Sequence, residues 1–208
     1  MSKDGETMSL AIASRPLVSL TLPQEGARRF ATQLFLALGA TLLLAVSAKT
    51  KVVLGPVDLS LQTLAVLLIG ATFGMRLGVA TLLLYLAEGA MGLPVFQGTP
   101  EKGLGLAYMM GPTGGFLLGF VAMAAIAGWA ADRGLDRNPI KFAGALLVAE
   151  VALMALGFAW LAGLIGADKA WMFGVQPFIL ADLVKVALAA CLMPVAWALL
   201  RSLGVSRE

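Results

Sequence analysis

The sequence predicts an all-α integral membrane protein, a bundle of six transmembrane helices. Three observations predict it. Of 208 residues, 60% are hydrophobic and 13% charged, with a mean hydropathy of +0.91, outside the range of soluble domains. The charges fall between apolar stretches long enough to cross a bilayer, which takes about 20 residues for roughly 30 Å of hydrocarbon. Threading those stretches through a membrane then distributes lysine and arginine unevenly between its two sides.

Residues 30–48 carry no charge between Arg29 and Lys49 and form the first span. Residues 59–75, uncharged between Asp58 and Arg76, form the second, and residues 77–93, interrupted by Glu88, the third. The uncharged interval 103–131 holds the fourth, beginning near Pro112. Residues 142–167 with Glu150 form the fifth, and residues 170–200 with Asp182 and Lys185 the sixth, ended by Arg201. Residues 1–29 read as a polar cytoplasmic tail, 30–201 as the membrane domain and 202–208 as a second short tail. Arg28-Arg29 ahead of an apolar run ending Ala45-Val46-Ser47-Ala48 also has the form of a secretory signal. Its removal would leave five spans and take away a helix the others need as a neighbour, so it is read as a span.

With the N-terminus in the cytoplasm, Lys3, Arg15, Arg28, Arg29, Arg76, Arg133, Arg137, Lys141, Arg201 and Arg207 lie inside. Lys49, Lys51, Lys102 and Lys169 lie outside. Ten against four places both termini in the cytoplasm. The long loops, near 49–60, 94–111 and 166–177, then face out.

The absence of histidine and a single cysteine, Cys191, remove the usual metal ligands, the commonest general base and any internal disulfide. No cofactor or metal is expected. The net charge of +3 is scattered between apolar runs rather than gathered in a patch, which argues against nucleic acid as a partner. Glycines four apart, Gly70, Gly74 and Gly78 and then Gly111, Gly115 and Gly119, offer seams for close helix approach.

Charged groups inside a bilayer cost roughly 2.5–3.5 kcal/mol each on insertion scales, so each one asks for a role. Asp182 and Lys185, three apart, share a helix face. They either satisfy each other or line a polar pocket near the outer surface, opposite Tyr85 and Glu88 and bordered by Gln62, Thr63, Phe96 and Gln97. Glu150 falls in the inner half of its span, where a structural hydrogen bond or a partner-facing role is expected. The segment from Leu93 to Gly111 is too long and glycine-rich for a bare turn, and could cap a ligand with Phe96, Tyr108, Gln97 and Lys102.

Four stretches in order then resemble one family. They are Gln62-Thr63; Tyr85-Leu86-Ala87-Glu88-Gly89-Ala90-Met91-Gly92-Leu93-Pro94-Val95-Phe96; Gly111-Pro112-Thr113-Gly114-Gly115-Phe116-Leu117-Leu118-Gly119-Phe120; and Asp182-Leu183-Val184-Lys185. The chain resembles BioY proteins from about residue 33 to 200. The resemblance implies a six-helix substrate-binding (S) subunit of an energy-coupling-factor (ECF) transporter that captures biotin at the outer face of the bacterial cytoplasmic membrane. It also implies a transmembrane coupling subunit (T component) and two cytoplasmic ATPases as partners, with a homo-oligomer possible. This chain has no Gly-x-x-x-x-Gly-Lys-[Ser/Thr] phosphate loop. By the same resemblance Asp182 and Lys185 are the polar ligand pair, Tyr85 and the loop around Lys102 are pocket walls, and Ala37 and Thr41 approximate the alanine pair of the docking helix. The competing readings are the same architecture for another vitamin, a ligand-free assembly subunit, and an intramembrane lipid-modifying or proteolytic enzyme. The enzyme reading lacks histidine and any recognisable serine or cysteine nucleophile motif.

Overall fold

The computed structural model describes residues 16–20, 22–23, 26–52 and 57–202. Of the tails expected at 1–29 and 202–208, residues 1–15, 21, 24–25 and 203–208 lie outside the described residues, and with them Lys3, Arg15 and Arg207, as does the Arg201 side chain. In chain order the elements are α1 (Ala27–Lys49), a small hairpin of β1 (Lys51–Val52) and β2 (Leu59–Ser60), α2 (Gln62–Ala90), a short α3 (Gly105–Met109), α4 (Gly114–Asp132), α5 (Pro139–Ile165), a short α6 (Ala167–Gly174) and α7 (Ile179–Ser202). The two strands pair antiparallel, Lys51 opposite Ser60. Among the described residues, five helices are long and apolar enough to cross a membrane: α1, α2, α4, α5 and α7. Within the stretch read as a tail, Leu17–Leu20 forms a 3-10 turn, and Leu17 packs against the core.

The expected second and third spans lie within one helix, α2, which is broken at Gly74 (φ 76°, ψ 175°). A straight helix would hold Gln62 and Tyr85 about 34 Å apart. Instead Gln62 Nε2 donates to Tyr85 Oη at 2.8 Å, so the two arms of α2 run back along each other. The reversal takes one residue because that backbone conformation is essentially open to glycine alone. Asp132 completes it by accepting a hydrogen bond from the Met75 amide at 3.1 Å. Above the turn the arms press together, and a Cβ on Gly78 would lie 3.2 Å from the Gly70 Cα.

Helix α4 is the most enclosed of the five, and α1 the least. Its neighbours approach to backbone contact. Gly70 of α2 meets Ala124, Gly115 meets Leu156 and Trp160 of α5, and Gly119 meets Leu153. Lipid tails offer no hydrophobic drive for helix association, so these close contacts, with Leu67, Leu82, Met123, Leu146 and Leu161 fully buried among them, hold the bundle.

The sixth expected span begins late. Residues 170–178 belong to α6 and a turn, because Gly166 (φ 87°) ends α5 and Pro177 precedes the start of α7. At the Gly74 end, Asn138 caps α5 by accepting from the amides of Ile140 and Lys141, with Pro139 in the first turn. There too Asp136, fully buried, accepts from Trp197 Nε1 at 2.6 Å, which ties the α4–α5 connection to the last turns of α7.

Candidate ligand-binding site

At the opposite end the loops gather over a small cavity. Its floor comes from α2, α4, α5 and α7: Gln62, Thr63, Phe116, Leu117, Phe120, Leu153, Met154, Asp182 and Lys185. Phe178 and Thr113 close the sides, and Val57, Asp58, Ser60, Gln97 and Tyr108 form the roof. The volume is about 40 Å³, well below the ~300–1,000 Å³ of sites that enclose a small molecule. A ligand of vitamin size therefore enters only if the roof moves.

The polar centre is built at the start of α7. Asp182 lies in the first turn, its amide on Phe178 O at 2.8 Å, where the helix N-terminus favours a carboxylate. One turn on, Lys185 Nζ donates to Asp182 Oδ1 at 2.8 Å, Thr63 Oγ1 at 2.7 Å and Ser60 O at 2.6 Å. Those three acceptors use all three donors of an ammonium. Asp182 Oδ1 also receives Thr63 Oγ1 at 3.2 Å, whereas buried Oδ2 has no hydrogen-bond partner among the described residues. The free acceptor of the cluster is thus the carboxylate of Asp182, and Lys185 holds it in place. Glu150, expected in the inner half of its span, is found level with Asp182 instead. It stands in the groove between α5 and α7 with its carboxyl against that of Asp182 and Lys185 nearby, and its oxygens accept from no N–H or hydroxyl donor among the described residues.

Of the residues expected at the pocket, Tyr85, Glu88, Phe96 and Lys102 stand behind it, and Tyr108 reaches its roof. Tyr85, fully buried, accepts from Gln62 and donates to Val95 O at 2.8 Å, so it fastens the loop to α2. Phe96 is wedged edge-on to Tyr85 (5.4 Å between centroids) and stacked on Tyr108 (5.3 Å), against a Gly89 whose missing side chain makes the room. Tyr108 Oη accepts the Gly98 amide at 3.1 Å. Glu88 turns to α1, where Thr41 Oγ1 donates to it at 2.9 Å. Lys102 pairs with Asp58. The helix face that carries Tyr85 and Glu88 is committed to packing the loop and α1, so neither reaches the cavity. Ala37 and Thr41, expected on an outward docking face, are instead buried, and α1 exposes Phe35, Leu38, Leu42 and Val46.

The BioY family description matches residues 17–202 of this chain. The chain belongs to the BioY family. Among family members, the probable biotin transporter BioY of Pyrococcus horikoshii is 38% identical over 71% of this chain and 85% of its own length. The biotin transporter BioY of Rhizobium etli is 34% identical over 75% of this chain and 87% of its own. The fold is similar to a crystal structure of the S-component for biotin from an ECF-type ABC transporter, with a TM-score of 0.69, 19% identity and coverage of 84% and 95% of the two chains.

Two roof residues, Lys51 and Asp58, lie outside the stretches that resemble BioY proteins. Lys51 enters only the count of outward lysines, and Asp58 only bounds a span. Their single signal was opposite charge in one loop, and nothing local linked that loop to Gln97 and Lys102.

Proposed function

We propose that this chain is the substrate-binding subunit of an ECF-type transporter in a bacterial cytoplasmic membrane and that it binds biotin. The observation that carries the reading is an unpartnered acceptor, Asp182 Oδ2, fixed by Lys185 and Thr63 at the edge of a cavity otherwise walled by Phe116, Leu117, Phe120, Leu153 and Phe178. Biotin offers what such a wall takes: ureido N–H donors for the carboxylate and an apolar thioether ring and valeryl chain for the aromatic and aliphatic sides. The names of the relatives support the same ligand.

The two arms of α2 count as separate crossings, which gives six with both termini cytoplasmic. The basic groups Arg76, Arg133, Arg137 and Lys141 at the Gly74 end support that orientation and turn the cavity outward. The membrane domain spans 30–201. A coupling subunit and two ATPases supply the energy, and the outward face of α1 is the surface we assign to the coupling subunit. Binding of a vitamin panel to the detergent-purified chain tests the reading: biotin raises the melting temperature most, and a larger rise with thiamine or riboflavin overturns it.

A further inference from the structure

The roof is held by charges. Asp58, 4% exposed, meets Lys51 Nζ at 3.1 Å and Lys102 Nζ at 3.1 Å. Lys51 also donates to Gln97 O at 2.8 Å, and Gln97 Nε2 donates to Asp58 O. Lys49 reaches Phe96 O at 2.8 Å and Thr99 Oγ1 at 3.1 Å, with Glu101 in its field. Among the described residues, three ammonium groups thus face two carboxylates at the rim. The floor has the opposite balance: Asp182, with Glu150 behind it in the α5–α7 groove, stands beside one ammonium whose donors are already taken.

This polarity orients a ligand that has N–H donors at one end and a carboxylate at the other. Its carboxylate is repelled from the floor and finds no free donor on Lys185, while the rim has an excess of cations. The rim cations are occupied by Asp58, and Asp58 and Gln97 are among the residues that must move before the cavity can admit anything of that size.

We infer that Asp58 is an internal stand-in for the ligand's carboxylate: it closes the roof on Lys51 and Lys102, and an entering carboxylate takes its place there. The exchange trades one anion for another on the same ammonium groups, so opening adds no unpaired charge. A ligand whose acid is esterified must break the same contacts without replacing them. Lys51 and Lys102 thereby become determinants of specificity for a free acid. This rests on the biotin reading above.

The test measures dissociation constants of biotin and of biotin methyl ester for the full chain in detergent, as wild type, Lys51→Met, Lys102→Met, the double variant and Asp58→Asn. Size-exclusion and thermal profiles check that each is folded. The wild type prefers the acid by about tenfold or more, the range of charge-assisted contacts at partly exposed lysines. The double variant brings the ratio to about one by weakening the acid and leaving the ester within about threefold, while Asp58→Asn tightens the acid. An unchanged ratio in the double variant overturns the inference and leaves the biotin reading standing. So does a folded Asp58→Asn that loses both ligands, since Asp58 is then structural. A wild-type chain that binds neither form overturns both.

Discussion

Replacing Lys185 with methionine keeps the length and apolar stem of the side chain and deletes its charge. In the native arrangement the ammonium has three acceptors between 2.6 and 2.8 Å, and Asp182 Oδ1 is left with only Thr63 when it is gone. Both side chains are nearly enclosed, so solvent does little to replace the lost partner. Breaking a buried pair by removing one member costs about 3–5 kcal/mol, whereas removing both charges together costs far less. Lys185→Met is therefore expected to lower the melting temperature sharply. Asp182→Asn/Lys185→Met recovers at least ~2 kcal/mol of that loss, read as the coupling in a double-mutant cycle. Biotin titration separates stability from recognition: the double variant, although stable, has no carboxylate at the floor and binds biotin at least ~100-fold more weakly, the scale of a charged hydrogen bond left unmade. If Lys185→Met melts as the wild type does and keeps its affinity, the claim that this ammonium positions the acceptor is wrong.

Gly74→Ala combines a disfavoured backbone conformation with a Cβ aimed at the Asp132 carboxylate, for about 2–5 kcal/mol. Gly39→Ala, where a Cβ meets nothing within 4 Å, is neutral or stabilising by up to ~1 kcal/mol; comparable melting temperatures for the two would contradict the turn argument. Gly89→Ala drives a methyl group into the Phe96 ring and costs about 1–3 kcal/mol, and adding Phe96→Leu restores more than half of it, whereas strictly additive losses in thermal melts would refute the wedge. Burial pushes the Asp136 carboxyl above its ordinary value, against the opposing pulls of the Trp197 hydrogen bond and the Arg137 charge. The folded chain thus keeps a proton there that the unfolded chain has lost, so this contribution to stability is full in acid and disappears as pH rises through the folded value. Asp136→Asn should flatten that fall, and Trp197→Phe, which removes the group favouring the ionised form, should steepen it; melts from pH 4 to 8 that are parallel for all three proteins would count against the mechanism.

Hydropathy and charge spacing located the helices α1, α4 and α5 and both arms of α2 to within a few residues, because the apolar content that marks such segments is a property of their own composition. The Asp182–Lys185 pair was equally legible, since two charges three residues apart in an apolar run must share a helix face wherever the helix packs. A reversal near Arg76 was legible from the span ends, but its one-residue form was not: a four-residue glycine spacing reads as a packing seam, and the backbone of Gly74 with the Gln62–Tyr85 hydrogen bond shows the turn.

Which polar residues meet the cavity depended on rotations of helices and on loops that touch over forty residues apart. Tyr85, Glu88, Phe96 and Lys102 carry the right chemistry for a ligand, yet the packing of α1 against α2 and the charge of Asp58 claim them first. The roof clasp of Lys49, Lys51, Asp58, Gln97 and Lys102 belongs wholly to tertiary structure. Sequence alone thus determined the solvent, the approximate extents of the long helices before α7 and the acid–amine pair, which follow from local composition and helical period. Tertiary structure decided which donors remain free, because a hydrogen-bonding group is available to a ligand only after its neighbours in space have taken their share.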